Sequence, residues 1–160
     1  MPGGHEIAMA LRAAYWAMHR QADAHLAPFG VTANQFVLMS ILAEENGLTQ
    51  QELVRRASSD ANTVRAMLLL LEKRALVSRA PHSTDGRAYC VMLTARGRRT
   101  YDRLWIESDP FRARLLSLFS PAQTQALVQQ LNSVSQALTS IHIVRPAPAT
   151  RRAARVSALK

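Results

Sequence analysis

Two helix starts lie eleven residues apart in this chain, at Thr49 and Asp60, and that spacing restricts what its middle can fold into more than any other feature. Thr49-x-x-Glu52 has the form of a capping box, in which the Thr hydroxyl accepts from a free backbone N–H and the Glu side chain reaches back to the cap. It opens a short helix through Leu53 to about Arg56. After Ala57-Ser58-Ser59, Asp60 is placed to cap a further helix whose Val64, Met67, Leu68 and Leu71 form one apolar stripe. A short helix, a tight turn and a longer helix make a helix-turn-helix pattern, whose second helix commonly enters the DNA major groove. An antiparallel helical pair with no DNA role has the same periodicity.

The segment after the second helix separates the two readings. From Val77, Ser78-Arg79-Ala80 leads into the turn-rich Pro81-His82-Ser83-Thr84-Asp85-Gly86, and Arg87-Ala88-Tyr89-Cys90-Val91-Met92-Leu93 then has strand propensity. A β-hairpin in this position is a wing, which a plain helical pair lacks. Helices flank this middle. Residues 7 to 27 carry Ile7, Leu11, Ala14, Tyr15, Met18 and Ala22 at helical spacing, ending before Pro28 and Gly30. Thr32-x-x-Gln35 caps a second helix holding Phe36, Leu38, Met39 and Leu42. Thr94 caps a fifth helix with Tyr101, Leu104 and Trp105, continued beyond a kink at Asp109-Pro110 by Phe111, Leu115 and Phe119. Ser120-Pro121-x-Gln123 is another capping box, opening a sixth helix to about Ile141. The predicted fold is mainly α with a small β-hairpin wing.

Length and charge narrow the function. A chain of 160 residues has room for about one domain of common size. No apolar run approaches the roughly 20 residues of a membrane span, and the start lacks the regions of a signal peptide, so a cytoplasmic location away from membranes is expected. One cysteine, Cys90, cannot build an internal disulfide or a Cys-x-x-Cys pair. It is expected to act as a small hydrophobe in the second wing strand. Of the net charge of +9, +5 sits in the last seventeen residues. A basic balance favours polyanionic partners, but a solvated basic tail satisfies it equally.

From Gly30 to Gly97 the chain resembles the multiple antibiotic resistance regulator (MarR) family of winged helix-turn-helix transcription factors. The resemblance is carried by Gly30-Val31-Thr32-x-x-Gln35-Phe36, Leu48-Thr49-Gln50-Gln51-Glu52-Leu53, Asn62-Thr63-Val64, Leu71-Glu72-Lys73-Arg74-Ala75-Leu76-Val77, Asp85-Gly86-Arg87-Ala88 and Leu93-Thr94-x-x-Gly97. Each fragment is weak alone, and their order and spacing are specific. With the flanking helices the likeness covers residues 7 to 141. It implies an N-terminal dimerisation helix at 1–29, a DNA-binding lobe at 30–97 and C-terminal dimerisation helices at 98–143, while the Pro, Ala and Arg content of 144–160 points to a basic, mobile tail. It further implies a homodimer in which each lobe reads half of a pseudo-palindromic operator on double-stranded DNA.

Carried over by position, Asn62, Thr63 and Arg65 fall where family members touch base edges. Their chemistry suits such contacts, since Asn pairs bidentately with adenine, Arg with guanine, and a Thr methyl packs on thymine. Ser58 and Ser59 would approach phosphates, where the helix dipole also favours an anion. Arg87 matches the wing arginine that reads minor-groove width, with Asp85 bracing it. Two departures stand out. Ala75 occupies a common Gly position, where a left-handed backbone would cost a Cβ-bearing residue about 1–2 kcal/mol. Leu69 and Leu70 replace residues that are usually charged, and are either scattered surface leucines or an unusual contact.

Many such regulators release DNA when a small aromatic or phenolic effector binds, and the wall residues implied here are Trp16, His19, Phe36, Met39 and Met67. Core packing accounts for most of these side chains equally well. No cofactor is expected, and the five histidines lack metal-ligand spacing. No phosphate loop, Gly-x-Gly-x-x-Gly or nucleophile elbow is present, so an enzyme is not expected. The reading is a sequence-specific transcriptional repressor. The alternative is a non-specific or architectural DNA-binding protein that uses its basic tail and has no effector.

Overall fold

The structure is a computed structural model that describes residues 3–81 and 89–140. The elements, in chain order, are α1 (Gly4–Leu26), a 3₁₀ turn (Ala27–Phe29), α2 (Ala33–Glu44), β1 (Leu48–Thr49), α3 (Gln50–Arg56), α4 (Ala61–Lys73), β2 (Val77–Pro81), β3 (Tyr89–Leu93), α5 (Ala95–Glu107), α6 (Asp109–Leu116) and α7 (Pro121–Ser140). Asp85, Arg87 and the basic segment 144–160 lie outside the described residues.

Helix starts follow the local chemistry. Thr32 and Gln35 form a reciprocal box, with the Gln35 amide donating to Thr32 Oγ1 at 3.2 Å and the Thr32 amide to Gln35 Oε1 at 3.1 Å. Thr49 and Glu52 do the same at 3.3 and 2.8 Å, as do Ser120 and Gln123 at 3.3 and 2.9 Å. Asp60 accepts from the Thr63 amide at 2.9 Å, and Thr94 from the Gly97 amide at 2.9 Å. Three boundaries differ from the sequence reading, one of them the end of α6 at Leu116, short of the expected Phe119. α1 begins at Gly4 rather than residue 7, and the expected kink at Asp109-Pro110 is a full break between α5 and α6. The buried Ser108 sits at that break, its hydroxyl donating to the Leu104 carbonyl at 2.7 Å.

The sheet holds one strand that periodicity did not reveal. β1 pairs with β3 through Leu48 and Val91, and β2 pairs with β3 from Val77–Leu93 to Pro81–Tyr89. The order is β1-β3-β2, all antiparallel, so the wing hairpin is anchored by a third strand. Two residues are too few to carry an alternating pattern, and only their long-range partner identifies them as a strand.

Inside the lobe, Leu38 and Met39 of α2, Leu53 of α3, Val64, Leu68 and Leu71 of α4, Val91 of β3 and Leu104 of α5 are all fully or almost fully buried together. The chain falls into two compact units, divided after Leu115. In the second unit, α7 is a helix of 20 residues whose Val128, Leu131, Val134 and Leu138 form an exposed apolar stripe.

The turn between α4 and β2 is tight. Ala75 is left-handed, with φ of 54°. The next carbonyl, that of Leu76, accepts from the Thr94 amide at 3.1 Å and lies against Gly97, where any Cβ would collide with it. Ala75→Gly is therefore expected to raise stability by about 0.5–1 kcal/mol, the relief of strain less the added chain entropy of Gly. Gly97→Ala is expected to lower it by about 1–3 kcal/mol through overpacking. Denaturant midpoints of the two variants check both signs.

Candidate nucleic-acid interface

The helix-turn-helix is built from α3, the turn at residues 57–60 and α4. α3 ends in Arg55 and Arg56, and Arg56 pairs with Glu45 at the end of α2. The turn closes through the Ala57 amide to the Leu53 carbonyl at 2.9 Å and the Ser59 amide to the Val54 carbonyl at 3.1 Å. Ser58 sits in it with φ of 49°, a left-handed conformation that costs a residue with a Cβ. A second tie comes from Gln50, whose side-chain amide donates to the Ala61 carbonyl at 3.3 Å, fixing the start of α3 against the first turn of α4.

With about 3.6 residues per turn, burial of Val64, Leu68 and Leu71 determines which side chains of α4 face out. Asn62, Thr63, Arg65 and Ala66 are exposed, as is Ser58, while Ser59 is half-buried. Asn62 lies opposite the buried stripe and Arg65 on its flank, and Leu69, 51% exposed, lies two turns on from Asn62. Thr63 keeps its polar group for the helix start. Its hydroxyl donates to Asp60 at 2.6 Å, which leaves the methyl as its outward group. The N-terminal dipole of α4 already faces an anion, the Asp60 carboxylate that caps it.

The wing root is braced by an ion pair with no local sequence signal, Arg79 of β2 to Glu72 of α4 at 3.3 Å. Cys90 is half-buried in β3, opposite Thr49 and Ala80.

The suggested effector residues fall into separate settings. Trp16 is half-exposed on α1 and meets His19 edge-on at 5.8 Å, while Tyr15 stacks on the same imidazole at 5.4 Å. His19 pairs with Asp23 at 3.3 Å, and Asp23 accepts from the Ala33 amide of α2 at 2.6 Å. Phe36 is half-buried and stacks on Tyr101 at 5.6 Å. Met67 packs against the core from its edge, and Met39 is enclosed within it. Among the described residues no ring contact joins the Trp16–His19 group to Phe36, no three potential metal ligands gather, and no single helix is long and apolar enough to cross a membrane. Tyr15, Asp23 and Tyr101 escape a sequence search for such a site, because their significance lies in partners on other turns or elements.

Two caps carry depressed carboxyl pKa values. The Thr49 amide, then its hydroxyl, hold Glu52 below its ordinary value, and the Thr63 hydroxyl, then its amide, do the same for Asp60. A folded-state pKa below the unfolded one contributes stability that is fully present above the ordinary carboxylate value of about 4 and is lost as pH falls through the depressed value. Thr49→Ala should cost about 1 kcal/mol at neutral pH. Glu52→Gln should flatten the acid limb of the stability profile below pH of about 4. Thermal melts followed by circular dichroism across that range check both.

The MarR family model matches residues 31–89. The HTH-type transcriptional repressor Rv2887 of Mycobacterium tuberculosis (strain ATCC 25618 / H37Rv) is 30% identical over 114 residues, 71% of this chain and 82% of that protein. The transcriptional repressor CouR bound to a 23-mer DNA duplex superposes with a TM-score of 0.72 at 28% identity, over 79% of this chain and 89% of its own. NadR in complex with 4-hydroxyphenylacetate superposes with a TM-score of 0.73 at 26% identity, over 85% and 99%.

Proposed function

Because the chain belongs to the MarR family and is a DNA-binding transcriptional regulator, we propose that it works as a homodimeric repressor of a pseudo-palindromic operator, released by a small aromatic or phenolic effector. The observation that carries this reading is the outward face of α4. Its apolar side is locked into the lobe, and Asn62, Thr63 and Arg65 are left exposed at the end that commonly meets base edges. Asn62 is assigned to adenine, Arg65 to guanine, and the Thr63 methyl to a thymine methyl. Ser58 and Ser59 are assigned to phosphates, and Arg87, braced by Asp85, to the minor groove.

A homodimer is supported by apolar surface that neither unit covers within itself. Ile7, Tyr15 and Met18 lie along α1 at helical spacing with 55%, 47% and 43% exposure, and α7 has its own stripe. Stripes of this kind require a partner surface to be removed from water. Residues 1–29 and 98–143 are accordingly assigned to dimerisation, 30–97 to DNA, and the basic segment 144–160 to sequence-independent attraction. Such a dimer acts on DNA in the cytoplasm.

An effector reading draws support from NadR, which holds 4-hydroxyphenylacetate. Trp16, His19, Phe36 and Met67 supply aromatic and polarisable surface for such a ligand here, with Met39 reached only by opening the core. The ligand must bind the DNA-incompetent state more tightly than the competent one, or it shifts nothing.

Selection of bound fragments from the source genome, at physiological salt with excess competitor DNA, tests the function. A few fragments sharing a pseudo-palindrome are expected, whereas uniform recovery would replace this reading with non-specific binding through the basic segment. Arg65→Ala should weaken binding by about 1–3 kcal/mol and relax one base position. An equal loss on every sequence would reassign Arg65 to phosphate.

A further inference from the structure

Arg74 makes a contact across more than forty residues of chain. It is the residue that closes α4, immediately before the left-handed Ala75. Its guanidinium reaches away from the helix to the connection between α1 and α2, where Nη1 donates to the Gly30 carbonyl and Nη2 to the Phe29 carbonyl at 3.1 Å. Gly30 is shaped for this partner. Its φ of 67° is left-handed, and a Cβ there would stand 3.3 Å from Nη2. The same connection is gripped from two other sides. Arg103 of α5 lies over the Phe29 ring at 5.2 Å, and Asp23 of α1 accepts from the Ala33 amide at 2.6 Å.

α4 is already seated in the lobe by Val64, Leu68 and Leu71, so the fork adds little to its attitude there. At the elbow from which α1 departs, where Leu26 and Val31 are buried in the same core, the fork adds an oriented tie to the end of α4. In a dimer built on α1, the angle at that elbow determines how far apart the two recognition helices lie. A planar guanidinium meets two neighbouring carbonyls at once, whereas an ammonium is a single point that cannot impose the same orientation.

We propose that Arg74 is a positioning residue that sets the half-site spacing the dimer accepts, acting through Phe29 and Gly30 without touching DNA. The proposal rests on the homodimeric reading above. Its test uses full-length protein and duplexes carrying the half-site recovered by fragment selection, with centre-to-centre spacing varied in single base-pair steps around one helical turn, about 10 bp. Wild type is expected to show a sharp optimum. Arg74→Ala should blunt it, losing about tenfold of the discrimination between the best spacing and one two base pairs away, while base preference inside each half-site stays the same. Arg74→Lys should fall between them, and it carries the test if the melting curve shows that Arg74→Ala does not fold.

Equal sharpness in wild type and the folded variants would overturn the role of Arg74. Loss of spacing and base preference together would also overturn it, because the residue would then be supporting the lobe itself. A wild-type protein with no preferred spacing would remove the homodimeric reading first, and this proposal with it.

Discussion

Everything that α4 can do depends on one buried stripe. Val64, Leu68 and Leu71 have no measurable exposure, and each such side chain contributes about 1.5–3 kcal/mol by leaving water. Rotation of the helix by one residue, roughly 100°, would bury Arg65 and expose Val64. The core therefore does more than stabilise the lobe. It selects which polar groups face outward, and it keeps Asn62 and Arg65 exposed on a rigid element.

Both ends of this helix hold a residue in an uncommon backbone conformation. Ser58 precedes it and Ala75 follows it, each left-handed despite carrying a Cβ. Local sequence preference alone would not favour either turn. Tertiary contacts over-determine them: the Ser59 amide bonds back to Val54 on one side, and Leu76 is locked against Thr94 and Gly97 on the other. Strain held by surrounding structure in this way is characteristic of functional elements.

The apolar faces of α1 and α7 differ in kind from that of α4. Their spacing is as regular, yet Ile7 and Leu138 remain 55% and 65% exposed. A periodic apolar stripe predicts that a helix has a buried side, but it does not say whether the covering surface belongs to the same chain. Among the described residues the chain covers the apolar stripe of α4 and leaves those of α1 and α7 exposed, which is what supports the proposed association. A polar chain from His19 through Asp23 to the Ala33 amide links α1 to α2, so the two helices meet through hydrogen bonds as well as packing.

Helix starts and the order of elements were legible in the sequence, because capping and 3.6-residue periodicity are local effects whose partners lie within a few residues, whereas Asn62, Thr63 and Arg65 were singled out by the family resemblance. The departure at Ala75, which is left-handed in the structure, was visible only against the family's usual glycine. Tertiary structure alone decided the rest. β1 exists only because Leu48 meets Val91, Arg79 braces the wing only because Glu72 faces it, and Arg74 reaches Phe29 and Gly30 across more than forty residues of chain. Those pairings depend on where distant segments come to rest once the core closes, and no local pattern encodes that distance.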